Sequence, residues 1–203
     1  MDFVKLNKNR HAVKIFTGEK VTTSEIKQMI SAAALAPSAH NMQPWHFVIV
    51  ESDAAREALL TQVKPQNRQQ VETAGGVVVI FSDTDLSARS NEIAHFFRDE
   101  LTAEQLERFA NRYPTMFQNY EPQTKSDYLA FNAGLVAINF VYTVQNHGYK
   151  TNFVLGFEKT QKINELLGVD KRYRPEIIIP FGPSEFSGVA STRLPQEKII
   201  EIK

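Results

Sequence analysis

After a first short helical stretch, apolar residues Ile26, Met29, Ile30, Ala33 and Ala34 recur at intervals of three and four, a period that predicts a helix reaching about Leu35. Thr22-Thr23-Ser24-Glu25 marks its start, because a hydroxyl and a carboxylate at that spacing satisfy each other's free amides, and Pro37 shuts it off. Trp45 to Val50 reads as a buried strand, and Ser52-Asp53 caps a helix running to about Val63, ended by Pro65. A short polar helix from Asn67 to Glu72 leads through Gly75-Gly76 into Val77-Val78-Val79-Ile80-Phe81. That β-branched run is too short for a helix and lacks polar alternation, so it predicts a strand buried on both faces.

From Leu86 to Tyr120 the pattern is helical and rich in aromatics, including Phe96, Phe97, Phe109, Tyr113, Phe117 and Tyr120, a stripe that suits core or dimer packing better than a ligand box. A second long helix spans about Lys125 to His147, with Gly148 in the left-handed position that ends helices. Residues Thr151 to Leu155, a helix from Glu158 to Leu167 and a strand from Glu176 to Phe181 close the regular part, and the tail from about 184 to 203 is extended. Helices and strands mixed in this order, without repeat or low-complexity linker, predict one domain over 1–203 in which helices enclose a single sheet in three layers.

Composition narrows the chemistry. The 203 residues carry 23 basic and 23 acidic side chains, so net charge is zero and no basic run exists to attract nucleic acid. With no cysteine, the chain has no disulfide, thiolate nucleophile or cysteine-held metal, and any redox chemistry must come from a bound organic cofactor. The cytoplasm is the default compartment. No apolar signal segment follows Met1 to Arg10, and the most apolar stretch, Leu129 to Val144, is broken by Asn132, Gly134 and Asn139. It predicts a buried core helix and no membrane span. Glu92 and His95 lie three apart, but no second such pair accompanies them, so a solvated helix face is expected and no metal.

No GxGxxG fingerprint or phosphate loop occurs, so a bound phosphate would have to be held by side chains. Two segments stand out. Asn9-Arg10-His11-Ala12-Val13-Lys14-Ile15-Phe16 places three cationic or titratable side chains within five positions. Ala36-Pro37-Ser38-Ala39-His40-Asn41-Met42-Gln43-Pro44-Trp45 is a polar loop held between prolines, which presents Ser38, Asn41 and Gln43 with little entropy left to lose.

At their separation these segments resemble the signatures of the flavin-dependent nitroreductase family, an R-[HRS]-S-x-[RK]-x-F stretch followed by A-P-S-x-x-N-x-Q-P-W. Asn67, His147-Gly148-Tyr149, Leu155-Gly156-Phe157 and Ser191-Thr192-Arg193-Leu194-Pro195 extend the likeness along almost the whole chain; it is weakest from Leu86 to Tyr120. The resemblance implies an α+β fold: a three-layer αβα sandwich with a central mixed or antiparallel sheet, completed in a homodimer with FMN at the subunit interface. It also implies that Arg10 and Arg193 hold the phosphate, that Lys14 sits by the pyrimidine side, and that Asn67 reads the carbonyl and imide edge. Gly156 would approach N5, and Pro37, Ser38, Ala39 and Asn41 would come from the partner, with His11, Ala12, Gln43, Gln70, Leu155 and Ser191 completing the cofactor positions.

Several of those positions depart from the family pattern. Ala12 and Ala39 lack hydroxyls, Gln70 and Ser191 stand where relatives place lysines, and Leu155 replaces an acidic residue. A pocket with fewer cations is expected to hold FMN less tightly or at lower potential. The implied activity is hydride transfer from NADH or NADPH through flavin N5 to nitroaromatics, quinones or similar flat acceptors, by a ping-pong scheme without an obligatory protein acid or base. Phe117 and Tyr120, in the variable helical excursion of about 86–120, are the expected substrate-side residues. The alternative is a protein that stores or senses flavin with little turnover.

Overall fold

The computed structural model describes residues 2–203. Four strands, β1 (Trp45–Ile49), β2 (Gly76–Asp83), β3 (Lys150–Thr151) and β4 (Tyr173–Gly182), form an antiparallel sheet in the order β1-β2-β4-β3. Every residue of β2 is buried, as its unbroken apolar run demands, because it lies inside the sheet with helices over both faces. Val78, Ile80, Ile179 and Phe181 pack on one face against α2 (Thr23–Ala33) and α8 (Pro122–Asn146). On the other face Val77, Val79, Phe81 and Ile178 meet Leu59 of α3 (Asp53–Leu60), Val71 of α4 (Pro65–Glu72) and Ile163 of α9 (Gln161–Leu167). The expected α+β, three-layer arrangement follows from these two apolar faces. The sheet is wholly antiparallel among the described strands.

Helix limits differ from the periodic pattern where caps intervene. Helix α2 stops at Ala33, and α3 ends at Leu60 rather than near Val63. Pro65 does not terminate α3 but opens α4, because proline's missing N–H costs nothing in a first turn, and Pro122 opens α8 three residues ahead of Lys125 in the same way. The stretch 86–120 is not one helix. It breaks into α5 (Leu86–Phe96), α6 (Ala103–Glu107), a π-helical turn at Arg108–Arg112 and α7 (Tyr113–Gln118). A capping box between Thr102 and Gln105 starts α6, and Pro114, which cannot donate to the preceding turn, follows the π turn. Residues 151–155 give only the end of β3 and an isolated bridge from Val154 to Ile178, and the following helix begins at Gln161, capped by Thr160.

A third apolar cluster joins this excursion to the body. Phe109, Phe117, Leu86 and Ile93 pack around Met42 and Leu129, so the excursion rests on both the proline-bounded loop and α8. The chain ahead of α2 lies along the β3 edge: Ala12 bridges Thr151, and the Val13 N–H donates to the Thr151 carbonyl at 3.2 Å. The extended tail runs beside it, with Ser184 Oγ donating to the Ile15 carbonyl at 2.7 Å, and a single 3-10 turn at Gln196–Lys198 interrupts it. No helix is long and apolar enough to cross a membrane among the described residues.

Candidate active site

Because the tail returns along the segment that follows α1 (Phe3–Asn9), residues from the two ends of the chain meet. Arg10 and His11 face Ser191 and Arg193 across a cradle of about 320 Å³, to which Asn7 and Lys8 also contribute. No carboxylate among the described residues lines it. Arg10 and Arg193 form no ion pair among the described residues, although most other arginines of this charge-balanced chain do. Two guanidinium groups left without an acidic partner around an open cradle are matched to a multivalent anion. Beside it lies a largely apolar groove of about 410 Å³ between Ala12, Lys14 and Ile15 on one side and Phe186, Gly188 and Val189 on the other.

A second group comes from α4 and the turn after β3. Asn67 Nδ2 donates to the Gly156 carbonyl at 3.3 Å, and Gln70 Nε2 donates to Asn67 Oδ1 at 3.0 Å. A Cβ on Gly156 would stand 2.2 Å from Asn67 Nδ2, so only glycine admits this approach. Gln70 is 2% exposed and spends both ends of its amide inside the protein, because its Oε1 accepts from Asn152 Nδ2 at 2.5 Å. Leu155 is exposed next to Gly156 and puts an apolar side chain on the surface of this turn.

The proline-bounded loop forms the third group and is held rigidly. His40, Asn41 and Gln43 all have positive φ, a backbone state costly for side-chain-bearing residues that persists only where surroundings enforce it. They are enforced here by hydrogen bonds. Ser38 Oγ accepts the Gln43 N–H at 2.9 Å, buried Asn132 accepts the Ala39 N–H at 2.9 Å, and the Tyr128 hydroxyl donates to the Ala39 carbonyl at 2.6 Å. Burial, with Tyr120 and Tyr113 nearby, pushes the Tyr128 phenol well above its ordinary value, so it stays a donor. The His40 ring sits among Tyr113, Phe117 and Tyr128 with centroids 5.1, 5.9 and 6.1 Å away. Phe117 is therefore buried packing for the loop, while Tyr120 is half-buried at the edge of the same cluster.

The structure thus brings Arg10, His11, Ser191 and Arg193 together, and separately joins Asn67, Gln70 and Gly156. It does not join the loop of Pro37 to Gln43 to either group. That loop leads into β1, whereas Ala12 and Val13 line β3, and these are the two opposite edges of the sheet. Three strand spacings of about 4.8 Å, roughly 14 Å in all, separate them. Sequence reasoning missed Asn152, Asn132, Tyr128 and the role of His40. Asn132 alone left a signal, as a polar residue within an apolar helix; the others become partners only through contacts distant in sequence.

The nitroreductase family model matches residues 8–183. The chain belongs to the nitroreductase family. A provisionally named NAD(P)H nitroreductase of Streptococcus pyogenes is 39% identical over 201 residues, covering 99% of each chain. The CLA biosynthesis enone reductase of Lactiplantibacillus plantarum is 31% identical over 91% of this chain and 87% of its own length. A nitroreductase-type protein from Exiguobacterium sibiricum, crystallised in complex with FMN, superposes with a TM-score of 0.91 at 30% identity, covering 100% of this chain and 98% of the other. The part of the chain beyond the family match, residues 184–203, carries Arg193 and half of the cationic cradle.

Proposed function

We propose that this protein is an FMN-dependent NAD(P)H oxidoreductase that passes hydride to flat, electron-poor acceptors such as nitroaromatics, quinones and conjugated enones. The observation that carries the proposal is the acid-free cradle that joins Arg10 to Arg193, because it fits a phosphomonoester in a chain with no phosphate loop. FMN, when bound, supplies the two-electron hydride chemistry at its N5. Arg10 and Arg193 hold its phosphate, with His11 and Ser191 beside them. Lys14, alongside Ala12 on the adjoining groove, sets a positive charge where the reduced ring system would carry negative charge, which favours reduction. Asn67, Leu155 and Gly156 serve the ring edge, and Gln70 stands behind Asn67. Nicotinamide and acceptor would enter the open groove beside Lys14 in turn, a ping-pong order that would call on no protein acid or base.

The site is completed in a homodimer, with Pro37, Ser38, Ala39, Asn41 and Gln43 supplied by the partner. Two observations support this: the loop and the cradle lie at opposite edges of one chain's sheet, and the tail leaves Phe186, Val189, Leu194, Ile199 and Ile202 exposed among the described residues. Residues 1–203 act as one domain, and the dependence on NADH or NADPH fits the cytoplasm. The test is visible absorbance of the purified protein with FMN, followed anaerobically by NADH or NADPH. Bleaching near ~450 nm, reversed by a quinone, nitroaromatic or enone, is expected. Absence of bound flavin overturns the proposal, and bound flavin that resists bleaching favours a storage or sensing protein instead.

A further inference from the structure

Three side-chain amides connect two backbone groups of fixed polarity. At one end the Phe153 N–H, which can only donate, donates to Asn152 Oδ1 at 2.9 Å. Asn152 Nδ2 then donates to Gln70 Oε1 at 2.5 Å, Gln70 Nε2 donates to Asn67 Oδ1 at 3.0 Å, and Asn67 Nδ2 donates to the Gly156 carbonyl, which can only accept, at 3.3 Å. An amide carries donors on one end and an acceptor on the other. Turning any of the three around would set donor against donor or acceptor against acceptor, and Gln70 is too buried for water to repair the mismatch. The whole chain of amides therefore has one permitted direction.

We propose that Asn152 and Gln70 are positioning residues that hold Asn67 with its Nδ2 beside Gly156, so that its second N–H is presented to an acceptor atom on the edge of a bound conjugated ring. The inference rests on the proposed FMN site and adds the means by which neutral side chains orient its edge. Asn67 is half-buried, its Oδ1 already accepts from Gln70 and one of its two N–H groups is spent on Gly156, so the second N–H is the donor it can offer to an acceptor edge. A donor at a carbonyl or imide edge stabilises the charge that gathers there on two-electron reduction. Gln70 acts without touching the ring, and an amide at this position fixes polarity, whereas a single cation would only attract.

The experiment measures FMN dissociation constants by quenching of flavin fluorescence, and reduction potentials by dye equilibration, for the wild type, Gln70→Met, Asn67→Ala and the double variant. Gln70→Met preserves length but can neither accept nor donate strongly. It is expected to weaken FMN binding about five- to tenfold, the loss of one well-placed hydrogen bond, and to lower the potential. The double variant should be no worse than Asn67→Ala, since Gln70 acts only through Asn67. If Gln70→Met fails to fold, half-buried Asn152→Ala breaks the same chain of amides and carries the same expectations. FMN affinity and potential both unchanged in a folded variant, or losses that add in the double variant, overturn the proposal. A wild type that binds no FMN overturns the functional proposal itself, a result distinct from intact binding in the variants.

Discussion

Replacing Arg193 by Ala removes one of the two guanidinium groups that frame the cradle while leaving the sheet, its helices and the amide chain untouched. A hydrogen bond to a charged partner contributes about 1.5–3 kcal/mol, and Arg193 is exposed in the single chain, so screening places it near the lower end. About 1.5 kcal/mol corresponds to roughly tenfold in the dissociation constant. Arg10→Ala should cost at least as much, because Arg10 is the less exposed of the two, and the pair together should approach a hundredfold, reduced by whatever coupling arises from sharing one phosphate. The assay is fluorescence titration with FMN and, in parallel, with riboflavin, which has the same ring system and no phosphate. Arg193→Ala should weaken FMN alone and leave riboflavin unchanged. Raising ionic strength should erode wild-type affinity for FMN more than for riboflavin, since only the former depends on exposed charge. Equal losses for the two ligands, or no loss for FMN, would refute the assignment of the cradle to phosphate.

Three further outcomes are expected. Phe117→Ala empties part of the buried cluster around His40 and should destabilise the protein by about 3 kcal/mol or more while altering the ratio of rates with quinone and nitroaromatic acceptors. A lowered melting temperature with an unchanged ratio would confine the residue to packing. Asp83, wholly buried, accepts from Arg172 Nε and Nη2 at 2.6 Å each and from Arg89 Nε at 3.1 Å, so Asp83→Ala should cost about 3 kcal/mol in chemical denaturation and Asp83→Asn less. Burial, with Arg89 adding to it, holds His46 below its ordinary value of 6.5, so the unfolded chain binds this proton more readily. Its contribution to stability is complete above pH 6.5 and is lost as pH falls through that value toward the lowered folded one. His46→Phe, which can keep the stack on Tyr173, should flatten this acid limb, and an unchanged slope between pH 5 and 7 would exclude His46 as its source.

The elements with strong local signals were legible in the sequence. The run of β-branched residues in β2 left no choice but a strand covered on both faces, and the stripe of α2 and its capping hydroxyl placed that helix to within two residues. Prolines were visible, but their roles at 65 and 122 were not, since the same missing N–H that stops one helix is harmless at the start of the next. The excursion was harder still: aromatic spacing announced helix throughout, while a cap and a π turn divided it.

Arg10 and Lys14 stood out as clustered cations in the sequence, whereas Asn67 and Arg193 were marked only by the resemblance to the nitroreductase signatures. Their grouping was decided only by the tertiary structure. Arg193 meets Arg10 because the tail retraces the first segment, a contact spanning nearly the whole chain. Gln70, conspicuous for its departure from lysine, turns away into the protein and joins Asn152, whose role no local pattern announces. Hydrophobic periodicity and capping act between neighbours a few residues apart, so sequence alone determines them. The direction of a buried amide and the side of the sheet on which a loop emerges depend on partners far along the chain, and only the folded structure brings those together.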